Sequence, residues 1–161
     1  MEIEKLIAII EVAFDGVPQP TRMMLHDAEA WDNYGSCTEE ERKKDNIGCW
    51  QDLPFDHVET CQYALPHLDK IGLRFYLPAY MTYYSKSLDA KGWWFESTLY
   101  SLNNHPTNPA LSSYHKERFS LFTEVQMKAC ALFVKFCITD TIHSDTSFAQ
   151  EIYDGYWSQH G

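Results

Sequence analysis

Several sequence features that mark common functions are missing from this chain of 161 residues. It has no uninterrupted run of about 18 apolar residues, so we expect no membrane-spanning helix. It contains neither the Gly-x-Ser-x-Gly motif of serine hydrolases nor a glycine-rich loop of the kind that binds phosphates. No segment of useful length alternates apolar and polar residues, which argues against a β-sheet. No motif in the sequence therefore identifies a catalytic activity.

Cysteine is present in a number and spacing that predict neither disulfides nor structural zinc. The five cysteines are an odd number, and Cys37, Cys49 and Cys61 are each twelve residues apart, whereas structural zinc sites use close pairs. The start of the chain, residues 1–4 (MEIE), is acidic and lacks the positive charge of a secretory signal. We therefore expect reduced thiols and a cytoplasmic location.

Positive charge is scarce. The sequence has 23 acidic against 13 basic residues, a net charge of −10, and most of the excess lies in residues 1–80. Such a field repels nucleic acid and attracts basic partners. We predict no nucleic-acid partner, and expect a protein partner to be basic.

Apolar residues recur mainly at helical spacing. The pattern predicts a mostly α protein: a single compact, orthogonal helical domain covering residues 1–161, with about six to eight short helices. Capping signatures begin three of them, at Thr38 with Glu41, at Asp56 with Glu59 and at Thr123 with Gln126. Besides a central element, the predicted helices span residues 2–14, 25–34, 39–44, 56–65, 93–102, 123–141 and 146–157.

The densest apolar and aromatic run, residues 73–84 (LRFYLPAYMTYY), is the predicted central element. Proline disrupts a helix interior, so either one turn ends near Tyr76 and a new helix begins at Pro78, or one helix kinks there. Of the two we expect the break. Four tyrosines surround this break, and buried tyrosine hydroxyls usually find partners. They either rim the core or, alternatively, line a ligand pocket formed by Tyr76, Tyr80, Tyr83 and Tyr84.

Four segments resemble motifs of an uncharacterised family. They are residues 25–35 (LHDAEAWDNYG), 50–54 (WQDLP), 73–81 (LRFYLPAYM) and 122–126 (FTEVQ). In these segments the chain resembles domain of unknown function family 6714, whose members are small and mostly bacterial. The resemblance implies a fold, but no established activity and no catalytic residues.

Acidic and aromatic residues are interleaved between positions 27 and 59, where Trp31 and Trp50 lie among ten acidic residues. Aromatic anchors beside charged rims are typical of protein interfaces. We therefore predict a non-catalytic binding module for a basic protein, by analogy with immunity proteins and inhibitors. The predicted surface comprises Asp27, Glu29, Asp32, Tyr34, Glu39, Glu40 and Asp52.

A ligand- or metal-binding enzyme of unknown reaction is the alternative. His26 and Glu29 lie three residues apart on one predicted helix, and imidazole with carboxylate suits iron, manganese or zinc. The pair occurs once, with no matching pair on a second helix, unlike the di-metal helical bundles. We accordingly predict no metal ligand, no cofactor and no catalytic residue.

Overall fold

The described part of the chain is helical throughout. The computed structural model describes residues 1–87, 92–140 and 145–161. Within these ranges it contains nine α-helices, three short 3₁₀ helices and no strand, which confirms the mostly α fold class. None of the described helices has both the length and the hydropathy to cross a membrane. The α-helices are α1 Ile3–Ala13, α2 Leu25–Asp32, α3 Glu39–Lys44, α4 Phe55–Thr60, α5 Lys70–Lys86, α6 Trp94–Ser101, α7 Pro109–Arg118, α8 Glu124–Thr139 and α9 Thr146–Gly155.

Helix α5 is the central element, as its composition predicts. Twelve of its 17 residues are buried, and the Asp69 side chain caps its first turn by accepting a hydrogen bond from the Gly72 amide at 2.8 Å. The predicted break at Pro78 is wrong, because Pro78 lies inside one continuous helix. An interior proline costs about 3 kcal/mol, whereas each large apolar side chain buried nearby contributes roughly 1.5–3 kcal/mol. Tertiary packing therefore outweighs the local preference.

Helices from both halves of the sequence close around α5. Helix α1 packs against α5 and α8, and α8 packs against α9. Two buried tryptophans join distant segments through their indole N–H groups. Trp50 donates to the Phe14 carbonyl at 2.9 Å, and Trp157 donates to the Leu102 carbonyl at 2.7 Å. These bonds satisfy polar groups that burial would otherwise leave without a partner.

Two of the three predicted caps are confirmed. The prediction at Asp56 is wrong, because α4 already begins at Phe55, after Pro54, and has no side-chain cap. The Thr38 hydroxyl accepts from the Glu41 amide at 3.2 Å, and the Glu41 carboxylate accepts from the Thr38 amide at 2.8 Å. Thr123 and Gln126 make the same reciprocal pair at 3.3 and 3.1 Å at the start of α8. Residue 141, near which the sequence places the end of this helix, lies outside the described residues.

Helix α7 is the element that periodicity does not predict. The predicted helices do not include these residues, although the Asn108 side chain caps the helix by accepting from the Leu111 amide at 3.3 Å. Among the ten residues of α7, only His115 and Arg118 are buried. A helix so exposed carries little apolar period, which explains why the pattern missed its length.

Candidate functional site

Helices α2 and α3 contact each other, and we call this pair the elbow. One face of α2 is buried and the other is exposed to solvent. The inner face of α2 buries Leu25, His26 and Ala28, whereas Trp31 on the outer face is 66% exposed. An ion pair holds the two helices together, because the Arg42 guanidinium donates to Asp27 Oδ1 from Nε and Nη2 at 3.1 and 3.0 Å. Trp31 lies one turn after Asp27 on the same helix, and 66% of it is exposed.

The end of α2 places a tyrosine where glycine is usual. The Gly35 amide bonds to the Ala30 carbonyl at 2.9 Å and the Tyr34 amide to the Trp31 carbonyl at 3.1 Å, the two bonds of a Schellman motif. Tyr34 occupies the left-handed position of this motif with φ 54°, and its side chain is 102% exposed. The strained backbone is therefore not compensated by packing of the ring.

Three of the predicted surface carboxylates bind the protein's own chain. Asp27 pairs with Arg42, Glu29 accepts from the Tyr63 amide at 2.8 Å, and Asp32 lies 2.8 Å from Nε2 of His67. Burial of Glu29 raises its pKa above the ordinary value. These carboxylates tie α2 to its neighbours and are not fully available to a partner.

The remaining acidic residues of the predicted surface lie in two separate parts of the structure. Glu39 and Glu40, in the first turn of α3, are exposed and make no hydrogen bond or ion pair with the residues described. Asp52 lies in a separate 3₁₀ turn and accepts from the Cys49 thiol at 2.8 Å. Trp50 in the same turn is buried, so the interpretation of Trp50 as a surface aromatic is wrong. We name Trp31, Tyr34, Glu39 and Glu40 the α2–α3 surface.

The inner face of the elbow contains a buried cluster of His26, Asp45 and His57. Nδ1 of His26 lies 2.6 Å from Oδ1 of Asp45, and the His26 amide donates to Oδ2 of Asp45 at 2.8 Å. The His57 ring packs edge-on against His26, with ring centroids 5.3 Å apart. One potential ligand atom from each residue lies within 4.8 Å of the others.

The two histidines of this cluster differ in their electrostatic surroundings. The hydrogen bond from His26 to the Asp45 carboxylate raises the pKa of His26 above its ordinary value, against the opposing effect of burial. Burial, followed by the proximity of His26, lowers the pKa of His57. Nδ1 of His57 is buried and has no hydrogen-bond partner among the described residues. The cluster thus combines a satisfied acid–imidazole pair with one unsatisfied imidazole nitrogen.

One protein family matches almost the whole chain. Residues 2–161 match a family of unknown function, DUF6714. The chain belongs to this family. The match confirms the resemblance that the four sequence motifs indicated. No curated protein and no solved structure matches it. Because the description of DUF6714 assigns no activity, functional inference depends on the geometry of the site itself.

In this DUF6714 chain Tyr84 and Tyr83 line two different cavities among the described residues, and the other two central tyrosines line neither of them. The hydroxyls of Tyr80 and Tyr83 each donate to a main-chain carbonyl at 2.6 Å. Tyr76 is fully buried in the core, and Tyr84 lines a cleft of about 290 Å³ with aromatic residues of α6. Tyr83 lines a separate cavity of about 70 Å³. The four tyrosines contribute mainly to packing, and Tyr80 and Tyr83 also bind the backbone.

The His–Asp–His cluster has no counterpart among the motifs read from the sequence. The predicted pair of His26 and Glu29 does not form, because Asp45 binds His26 while Glu29 binds the Tyr63 amide. Asp45 follows a lysine-rich turn and His57 lies in α4, so neither shares a local pattern with His26. Only the folding of the loop between α3 and α4 brings the three together.

Proposed function

We propose that this DUF6714 protein is a non-catalytic binding module that recognises a basic protein through the α2–α3 surface. The observation that carries the proposal is Tyr34, which adopts a left-handed backbone and exposes its whole side chain. A residue other than glycine in this conformation costs roughly 1–2 kcal/mol. Neither local geometry nor packing accounts for a tyrosine here, whereas contact between its ring and a partner does.

The aromatic side chains supply the anchors. Trp31 and Tyr34 are three residues apart at the end of α2, and both are exposed. Tryptophan and tyrosine are the residue types most often found among the energetically dominant contacts of protein interfaces. Singly exposed aromatics are common, but two exposed aromatics followed within a few residues of the chain by exposed carboxylates have the composition of an interface core with its rim.

Charge specifies the partner. Glu39 and Glu40 have no partner among the described residues, and the chain carries a net charge of −10. Acidic rims accelerate encounter with basic proteins and fix orientation, with an effect that salt weakens. Asp27, Glu29 and Asp32 serve here as the supporting framework, and Asp52 lies outside the proposed contact. By analogy with other small acidic proteins, the role is that of an inhibitor or immunity protein.

Affinity capture with matched variants tests this function. The immobilised wild-type chain should retain a basic protein from the cytoplasm of its source at low salt and release it as salt rises. The double variant Glu39→Lys/Glu40→Lys and the variant Tyr34→Ala should each lose that protein. Glu4→Lys/Glu151→Lys makes the same change of charge at exposed positions of α1 and α9, and should retain it.

Two results would overturn the proposal. One is that no basic protein is retained by the wild type under any salt condition. The other is equal retention by the wild type and by both α2–α3 variants. Loss of retention in the control as well would show that total charge, and not this surface, governs binding.

A further inference from the structure

We infer that His26, Asp45 and His57 form a binding site for one divalent transition-metal ion of the zinc and iron class. The site lies on the inner face of the elbow and is independent of the proposed partner surface. It also differs from the His26–Glu29 pair that the sequence suggested, since only His26 is shared.

The donor set selects the class of ion. Two imidazole nitrogens and one carboxylate oxygen are the ligands of many zinc sites and of non-haem iron sites. Magnesium and calcium prefer oxygen ligands alone, so they fit this set poorly. Three protein ligands leave at least one position for water, and none of the clefts described above is lined by His26 or His57. The ion is therefore expected to join elements of the fold.

The distances require a small adjustment on binding. Ligand atoms about 2.0–2.1 Å from a tetrahedral zinc ion lie roughly 3.3 Å from one another. Nδ1 of His26 and Oδ1 of Asp45 are 2.6 Å apart and share a proton. An ion that replaces this proton increases the distance between the two atoms by less than about 1 Å. All three ligand atoms already lie within 4.8 Å of one another, so His57 completes the set by a shift of its ring.

A purely structural role does not explain the buried, unpartnered nitrogen of His57. Asp45 caps the first turn of α2 through the His26 amide, which accounts for the burial of these two residues. His57 is only 9% exposed, and its Nδ1 has no partner among the described residues. An unsatisfied buried polar group costs about 1–3 kcal/mol. A metal bond through Nδ1 of His57 removes that cost.

The loop that carries Asp45 is held from outside the cluster. The Gln19 side chain donates from Nε2 to the Asp45 main-chain carbonyl at 3.2 Å, and its Oε1 accepts from the main-chain amides of Ile47 and Gly48. Gln19 thus holds the backbone of residues 45–48 by groups that the cluster does not use. Outer contacts of this kind orient ligands in metal sites and preserve their geometry before the ion binds.

Cobalt titration of the full chain tests the site. The metal-free protein is titrated with Co²⁺ while the visible d–d absorption is followed, and Zn²⁺ is then added as competitor. We expect one Co²⁺ per chain, displaced by one equivalent of Zn²⁺. At a Zn²⁺ concentration of about 100 times Kd, the thermal midpoint should rise by roughly 5–10 °C.

A pair of matched variants identifies the ligands. His57→Phe keeps an aromatic ring against His26 but removes the nitrogen, and should weaken Co²⁺ binding by about a hundredfold or more. His67→Phe removes a half-buried histidine that pairs with Asp32 and should bind Co²⁺ like the wild type. Far-UV circular dichroism without metal establishes that both variants are folded. Absence of stoichiometric Co²⁺ in the wild type, or equal binding by folded His57→Phe, overturns the inference.

Discussion

Replacing Tyr34 with glycine should stabilise the protein while removing its most exposed aromatic side chain. Tyr34 has φ 54° at the left-handed position of the Schellman motif that ends α2. Glycine adopts this conformation without the contact between Cβ and the carbonyl that makes it costly for other residues. Because the tyrosine side chain is fully exposed, the change removes no buried apolar surface.

The expected gain follows from two opposing contributions. Relief of the left-handed conformation is worth roughly 1–2 kcal/mol. The greater freedom of glycine in the unfolded chain offsets about 0.4–1 kcal/mol of this. The net increase in the free energy of unfolding is therefore between about 0 and 1.6 kcal/mol, with a central value of about 0.8 kcal/mol. For a urea m-value near 2 kcal/mol/M, the central value raises the midpoint of unfolding by about 0.4 M.

Urea unfolding followed by circular dichroism measures this change directly. Tyr34→Ala is the control, because alanine removes the phenol but keeps Cβ and so gains no relief of strain. The reasoning is refuted if Tyr34→Gly is neutral or destabilised relative to Tyr34→Ala with an unchanged m-value. A stabilised Tyr34→Gly that still retains the basic partner would instead contradict the proposed function and leave the conformational argument intact.

Two further predictions concern helices α7 and α8. Burial, with Arg118 and His105 adding to it, lowers the pKa of His115 to about 4. The unfolded chain therefore binds this proton first, so stability should fall as pH drops from about 6.5 towards 4, and His115→Phe should lessen that fall in urea titrations. A pH dependence identical to that of the wild type would contradict the assignment. Thr123→Ala removes the side-chain cap of α8 and should lower the free energy of unfolding by about 1 kcal/mol. The control Thr21→Ala, at an exposed position outside the helices, should change it by nearly zero. Equal changes in the two variants would refute the capping argument.

Sequence periodicity predicts the helices that bury a continuous face. Helices α1 and α8 were predicted to within a few residues because apolar residues recur along one side of each. Helix α5 was predicted as the central element but with the wrong interruption, since a local rule about Pro78 cannot weigh the burial around it. Helix α7 was missed because it is mostly exposed and polar.

The candidate sites depend on information that a linear pattern lacks. Trp31 and Trp50 look equivalent among acidic residues in the sequence, yet one is exposed and the other donates a hydrogen bond inside the core. The carboxylates divide in the same way, since partners such as the Tyr63 amide are distant along the chain. His57 comes close to His26 and Asp45 only in the folded chain. No rule about residue spacing in the sequence therefore identifies it as part of a site.

The hydrogen bond from Trp157 to the Leu102 carbonyl has a consequence for the order of folding. It joins residues 55 positions apart, and the ring of Trp157 also packs against Phe119. Closing so long a loop costs entropy before any contact repays it, whereas turns and neighbouring helices form early. The Trp157 environment should therefore mature late in refolding, after most helical structure has formed. Its indole fluorescence then reports completion of the core and not the onset of collapse.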